Sequence, residues 1–119
     1  MTIRFEELEH MDFSDVAVGK KLAPVHPGEI LREEFLVPLQ MTPHALSLAL
    51  QIPATRINDI VRERRAITTD TALRLARYFG NSAEFWMELQ VDYDMAIARH
   101  SLQDALNRIQ RFTPAGVGQ

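Results

Sequence analysis

The chain has 119 residues, 46% of them hydrophobic, which is sufficient for one compact core with help from oligomerisation. It contains no cysteine, so disulfides, thiol catalysis and cysteine-based zinc sites are excluded. No apolar run approaches the roughly 18 residues that a membrane span needs, and the acidic N-terminus lacks the pattern of a signal peptide. We therefore expect a cytoplasmic protein without membrane association.

Residues 1–25 show no helical period and are interpreted as an N-terminal arm. Residues 1–18 carry five acids against one arginine, with apolar residues interleaved between them. A segment of this composition either remains disordered or becomes ordered against a partner.

The globular part is predicted to begin at His26, a helix-start residue, with Pro27 at the first helical position, where its missing N–H costs nothing. Pro38 is predicted to end this first helix. Its apolar face consists of Ile30, Leu31 and Phe35.

Two short helices with a sharp angle between them are predicted next. The first begins at Thr42 and Pro43, and the second begins at Pro53 after only about two intervening residues. This is the geometry of a helix–turn–helix unit, in which Ile52 would fill the corner. The apolar stripes are Ala45, Leu46, Ala49 and Leu50 on one helix and Ile57, Ile60 and Val61 on the other.

A basic island coincides with this unit, although the whole chain has a formal net charge of -3. Residues 51–77 hold six arginines against three acids, which gives a local charge of +3. Such an island is typical of a surface that binds DNA. A solvated helix face is the commoner explanation of a charge run, and only the helix geometry favours DNA.

Two or three further helices complete an all-α fold of five or six helices without a sheet. The fourth starts at Thr68 and ends at Gly80, and Ser82 caps a fifth that continues to about Ile97. The fourth helix carries the apolar stripe Ala72, Leu73, Leu75, Ala76 and Phe79. We divide the chain into an arm at 1–25, a helix–turn–helix domain at 26–100, and a C-terminal helix and tail at 101–119.

Three segments between about residues 25 and 98 resemble the HigA family of addiction-module antitoxins, which are Xre-like helix–turn–helix proteins of the Cro and phage-repressor type. The segments are VHPGEILREEFLVPLQMT, LSLALQIPATRINDIVRERRAIT and TALRLARYFGNSAEFWMELQ. The sequence departs from the family at Gln51, a turn position that is often glycine, and in the length and acidity of its arm.

The resemblance implies a dimeric DNA-binding protein that is not an enzyme and needs no cofactor. It would repress its own operon through a palindromic operator and neutralise a co-encoded toxin of the RelE/HigB type, a small basic mRNA endonuclease. A stand-alone repressor without a toxin partner remains the alternative. A small nuclease is disfavoured because no nucleophile–base pair or carboxylate cluster can be assembled from the sequence.

The N-terminal half of the second helix of such a unit enters the major groove. Asn58 can bond an adenine edge and Arg56 a guanine, unless Asn58 serves as a cap or buried hydrogen-bonding group. Asp59 either accepts from cytosine or forms an ion pair with Arg62 or Arg56. The predicted DNA-binding residues are Ala54, Thr55, Arg56, Asn58, Asp59, Arg62, Arg64 and Arg65, the last three as phosphate contacts.

Other surfaces are predicted less directly. The helical period of Trp86, Leu89, Tyr93 and Ile97 indicates core or a dimer interface, and we predict that the dimer contact lies on the C-terminal half, residues 82–112. The toxin is expected to contact either the arm, through Phe5, Leu8 and Phe13, or the first helix around Glu33 and Glu34. The alternative for the arm is that it folds back on its own domain or remains free. The four histidines show no metal-ligand spacing, so no metal site is predicted.

Overall fold

The computed structural model describes residues 23–115, which form six helices and no strand, as the sequence predicted. Helix α1 consists of an α-helical turn Pro27–Ile30, a π-helical segment Leu31–Leu36 and a last turn Val37–Leu39. The other helices are α2 Pro43–Leu50, α3 Ala54–Val61, α4 Thr69–Phe79, α5 Ala83–Ser101 and α6 Gln103–Asn107. Most of the predicted arm lies outside the described residues.

Side-chain caps begin three of the helices at the residues that the sequence predicted. The hydroxyls of Thr42, Thr68 and Ser82 accept the backbone N–H three residues later, at 3.0, 3.5 and 3.0 Å. Gly80 ends α4 in the left-handed conformation, with φ of 78°. Local sequence signals thus determine where these three helices begin and where α4 ends.

Helix α1 starts with a compact arrangement of histidine, proline and glycine. The Nδ1 atom of buried His26 accepts the N–H of Gly28 at 2.8 Å, and Pro27 occupies the first turn. A Cβ atom on Gly28 would overlap the carbonyl oxygen of Ile60 at the end of α3. The glycine therefore lets the backbone of α1 approach the backbone of α3 directly.

The expectation that Pro38 ends the first helix is wrong, because the helix continues to Leu39. Within the π-helical segment the N–H of Val37 donates to the carbonyl of Arg32, five residues earlier. A π-helical turn is wider than an α-helical one, which makes room for the proline ring against the preceding turn. The helix ends instead at Gln40, which adopts a left-handed conformation with φ of 53°.

Two of the predicted apolar stripes differ from the buried faces. In α2, Leu46 and Leu50 are buried but Ala45 and Ala49 are exposed, while the small polar residue Ser47 is buried. The hydroxyl of Ser47 donates to the carbonyl of His44 at 2.6 Å, which satisfies it inside the core. In α4, Leu73 is 57% exposed and does not widen the stripe.

The core lies between α1, the α2–α3 pair, α4 and the first half of α5. Trp86 of α5 is fully buried there, with its ring centroid 5.0 Å from that of Phe35, and its indole N–H donates to Asn81 Oδ1 at 3.0 Å. The core consists of Leu31, Phe35, Leu36, Leu46, Leu50, Ile52, Ile57, Ile60, Val61, Ile67, Ala72, Leu75, Ala76 and Trp86. Of the two alternatives for Trp86, core and dimer interface, the structure therefore shows the core.

The C-terminal part of the chain leaves the core. The C-terminal helix predicted within residues 101–119 is short in the structure, where α6 covers only Gln103–Asn107. Leu102, which lies between α5 and α6, is 47% exposed, and Leu106 of α6 is 49% exposed. The second half of α5 and α6 therefore project from the domain with apolar residues on the surface.

Candidate nucleic-acid interface

The connection between α2 and α3 is a tight turn of three residues, one more than the sequence indicated. Gln51 adopts the left-handed conformation at φ 60° and ψ 46°, a backbone region that glycine enters more readily than other residues. Ile52 then turns inward, is 9% exposed, and donates its N–H to the carbonyl of Ser47 at 3.1 Å. The predicted corner is confirmed, and it fixes the angle at which α3 leaves α2.

Helix α3 turns one face to the core and the other to solvent. Ile57, Ile60 and Val61 are buried, as predicted. Thr55 and the arginines at 62, 64 and 65 are exposed, and the remaining predicted contacts are partly exposed. All eight predicted DNA-binding residues therefore lie on the accessible side of α3 and the loop that follows it.

Several of these residues are joined by ion pairs. Arg65 Nη2 lies 3.4 Å from Asp59 Oδ2, so the ion-pair alternative for Asp59 involves Arg65 and neither of the arginines expected from the sequence. Arg56 Nη1 lies 3.3 Å from Asp70 Oδ1. The outward face of α3 thus carries both signs of charge, each paired arginine having a carboxylate at its side.

Arg74 of α4 was not predicted as a functional residue, yet it holds the helix–turn–helix corner. Its Nη1 donates to the carbonyl of Leu50 at 2.8 Å, and its Nε donates to Asp70 Oδ1 at 2.7 Å. The hydrogen bond from Arg74 lowers the pKa of the Asp70 carboxyl. One guanidinium therefore connects the end of α2 with the start of α4.

Arg32 of α1 has a corresponding role at the other end of α3. Its Nη1 donates to the carbonyl of Val61 at 2.5 Å, and its Nη2 lies 3.3 Å from Glu63. Glu63 itself has a left-handed backbone, with φ of 64°. Sequence reasoning missed the structural role of both arginines because the carbonyls that they hold, those of Leu50 and Val61, lie more than twenty residues away in the chain.

The loop after α3 is attached to α5 through a buried glutamine. Gln90 Oε1 accepts the N–H of Ile67 at 2.7 Å, and Gln90 Nε2 donates to Asp94 Oδ1 at 2.9 Å. Gln90 is 4% exposed. The position of the loop carrying Arg64 and Arg65 therefore depends on α5 as well as on α3.

The residues assigned to a dimer interface have different environments. Leu89 is partly buried against the core, and the ring of Tyr93 meets that of His26 with centroids 4.8 Å apart. Ile97 is 44% exposed. Further exposed apolar side chains occur in the same part of the sequence, namely Val91, Met95, Leu102, Leu106, Ile109 and Phe112.

Of the residues assigned to toxin binding, the two on α1 can be described. Glu33 is exposed and forms an ion pair with Arg32 at 2.8 Å, and Glu34 is partly buried. Phe5, Leu8 and Phe13 lie outside the described residues.

No three histidine, aspartate or glutamate side chains between residues 23 and 115 come together as a metal site would require. No helix in that range is both long and apolar enough to cross a bilayer.

Comparison with known proteins agrees with this geometry. The helix-turn-helix family HTH_3 matches residues 31–86. Virulence-associated protein I of Dichelobacter nodosus is 52% identical over 89 residues, covering 74% of this chain and 82% of the relative. Antitoxin HigA-1 of Vibrio cholerae serotype O1 is 32% identical over 84 residues, covering 71% of this chain and 79% of the relative.

A similar solved structure is the Pseudomonas aeruginosa antitoxin HigA with the higBA promoter. It is 47% identical to this chain, with a TM-score of 0.73, and the match covers 76% of this chain and 99% of the solved one. The shared region therefore includes nearly the whole of that protein, while part of the present chain has no counterpart in it.

Proposed function

The chain belongs to the HigA family of helix-turn-helix antitoxins, and on that premise we propose that it binds a palindromic operator, represses its own operon and neutralises a co-encoded toxin. The family consists of DNA-binding regulators, so the chain is not an enzyme. A repressor must work where the chromosome is, which supports a cytoplasmic location. The observation that carries the DNA-binding part is the accessible face of α3 with its arginines.

We assign base reading to the first half of α3 and phosphate binding to its end. Asn58 and Arg56 are partly exposed and carry the side chains that bond adenine and guanine edges, while Thr55 offers a hydroxyl and a methyl group. Arg62 and Arg64 are exposed at the end of the helix, where phosphates are the expected partners. Ala54 and Asp59 complete the surface.

The test is a titration of wild-type protein against its own promoter and against a random duplex of equal length. We expect tighter binding to the promoter, and Asn58→Ala should cost about 1–3 kcal/mol there with a smaller loss on random DNA. Arg62→Ala should weaken binding to both duplexes. It should also reduce the slope of log affinity against log salt concentration by the equivalent of about one phosphate contact. Arg111→Ala, an exposed arginine of the tail, is the control. Equal affinity of the wild type for both duplexes would contradict the proposal.

A homodimer is proposed because one helix per chain reads few base pairs. Two copies would place their α3 helices in half-sites one helical turn apart, about 10 base pairs, or a multiple of it. The exposed apolar side chains of α5 and α6 support this, since Ile97, Leu102 and Leu106 are each more than 40% exposed. Leu89 and Tyr93 border this face from the core side.

Toxin binding is proposed on two candidate surfaces. Toxins of the RelE type are basic, as the resemblance implies, and an acidic surface attracts such a partner. The arm offers acids with Phe5, Leu8 and Phe13 between them, and α1 offers Glu33 and Glu34. Both surfaces lie on parts of the chain that the proposed DNA contacts do not use.

Two variants separate these surfaces. One lacks residues 1–20, and the other carries Glu33→Gln with Glu34→Gln; both are titrated with the basic protein encoded beside the gene and with operator DNA. Loss of toxin binding with retained operator binding identifies the surface that was altered. If wild-type protein bound the operator but no neighbouring gene product, the chain would be the stand-alone repressor of the alternative.

A further inference from the structure

The carboxylate of Asp70 lies between two guanidinium groups at the edge of the proposed DNA surface. Its Oδ1 atom accepts from Arg74 Nε at 2.7 Å and lies 3.3 Å from Arg56 Nη1. Arg74 is itself held by the carbonyl of Leu50 at 2.8 Å. The short hydrogen bond from Arg74 therefore holds the Asp70 carboxylate in place, while Arg56 contacts the carboxylate through a single long hydrogen bond.

The contact with Arg56 is weak enough to be replaced by DNA. Both side chains are partly exposed, at 30% for Arg56 and 57% for Asp70, and exposed pairs of this kind contribute about 0–1 kcal/mol. The guanidinium has five N–H donors, of which this contact occupies one. Arg56 can therefore leave Asp70 when an acceptor on DNA approaches the outward face of α3.

The two kinds of DNA acceptor do not compete equally with Asp70. A phosphate offers anionic oxygens, as the carboxylate does. Binding therefore gains little free energy when Arg56 exchanges the carboxylate for a phosphate. A guanine edge accepts two hydrogen bonds from the arginine fork, which are worth about 1–3 kcal/mol of discrimination. In addition, the negative charge of Asp70 repels any phosphate brought close to it.

We propose that Asp70 determines specificity: it acts as an internal anionic competitor for Arg56 and weakens binding to arbitrary DNA more than binding to the operator. This inference rests on the proposed DNA-binding function. Arg74 positions the carboxylate and does not itself need to contact DNA.

The experiment compares wild type and Asp70→Asn on the operator and on a random duplex at several salt concentrations. We expect random-DNA affinity to rise about three- to fivefold, which corresponds to removal of one exposed pair. Operator affinity should change less, so the ratio of the two affinities falls. The salt slope on random DNA should steepen by about 0.9, equivalent to one additional phosphate contact. Asp70→Glu, which keeps the charge, should retain most of the wild-type ratio.

A double-mutant cycle separates this role from a general effect of charge. In an Arg56→Ala background, Asp70→Asn should no longer raise random-DNA affinity by the same factor. Glu84→Gln, which removes an exposed acid from the first turn of α5, is the matched charge control. An equal gain in the Arg56→Ala background, an equal gain from Glu84→Gln, or no gain at all would overturn the proposal.

Thermal unfolding of each variant confirms that the domains compared are folded. Failure of the wild type to prefer the operator would instead refute the proposed function.

Discussion

At the scale of single residues, Gly28 sets how closely α1 approaches the end of α3. A Cβ at this position would meet backbone, the carbonyl of Ile60, and backbone cannot rotate away as a flexible side chain can. We expect Gly28→Ala to destabilise the domain by about 1–3 kcal/mol or more. The control is Gly80→Ala, where open space surrounds the added methyl group. The expected cost there, about 1–2 kcal/mol, comes only from holding alanine in the left-handed conformation at φ 78°.

Urea unfolding of both glycine variants measures this difference, and operator titration adds a second reading. Gly28→Ala should also weaken DNA binding, because the added methyl displaces α3, whereas Gly80 lies at the far end of α4. Equal stability loss and unchanged DNA affinity in both variants would show that α1 can shift without consequence.

His26 makes the stability of the same region depend on pH. Burial lowers the pKa of His26 from 6.5, although nearby Glu63 and Asp94 act in the opposite direction. Because the unfolded chain binds the proton more readily, the stabilisation is complete above about pH 6.5 and is lost as the pH falls towards the lowered pKa. Protonation also removes the Nδ1 acceptor of the Gly28 N–H.

Urea unfolding between pH 8 and pH 5.5 measures this effect. His26→Asn retains a capping oxygen without a titrating ring, so we expect its stability to fall less steeply than that of the wild type below pH 6.5. His44→Asn, at an exposed position on α2, measures the cost of the substitution itself. A slope in His26→Asn as steep as in the wild type would assign the pH dependence to other groups.

At the scale of helices, local signals in the sequence predicted the starts of the helices more accurately than the buried face of each helix. Thr42, Thr68, Ser82 and Gly80 act within one turn of their own positions, so their roles could be read from spacing. The burial of Ser47 and the exposure of Leu73 depend on what packs against each helix, and that is decided by distant residues. For the same reason the candidate DNA surface could be located from α3, but the ion pair between Arg56 and Asp70 and the support of α3 by Arg74 and Arg32 could not.

Gln90 offers a test of how one helix controls the loop beside another. Gln90→Met keeps the length of the side chain but leaves the N–H of Ile67 without its acceptor, which should cost about 1–3 kcal/mol. We expect faster hydrogen exchange at the Ile67 amide and weaker operator binding, since the adjacent loop carries Arg64 and Arg65. The amide of Leu75, inside α4, is the internal control. Unchanged exchange at Ile67 would show that the loop is held by other contacts.

At the scale of the whole molecule, the described residues divide into a packed domain and a projecting apolar end. Ile97 lies in the middle of that end and is 44% exposed. If the face joins two copies, Ile97→Asp buries a charge at the interface and should shift the mass measured by light scattering from dimer towards monomer. Operator binding should weaken with it, because two half-sites would no longer be read together.

Val37→Asp is the matched control for the dimer test. Val37 is 60% exposed and belongs to α1, not to the segment α5–α6, so a charge there should leave the mass unchanged. A dimer that survives Ile97→Asp at micromolar concentration would place the subunit contact elsewhere.

The close backbone contact at Gly28 also bears on how such a protein can change during evolution. Peptide groups hold the end of α3 from one side, and Ile57, Ile60 and Val61 anchor it in the core. The outward residues, such as Thr55 and Asn58, contribute little to that support. A lineage can therefore replace them and acquire specificity for a new operator sequence while the fold is preserved. Duplicated copies of the gene can then diverge into regulators that do not bind one another's promoters.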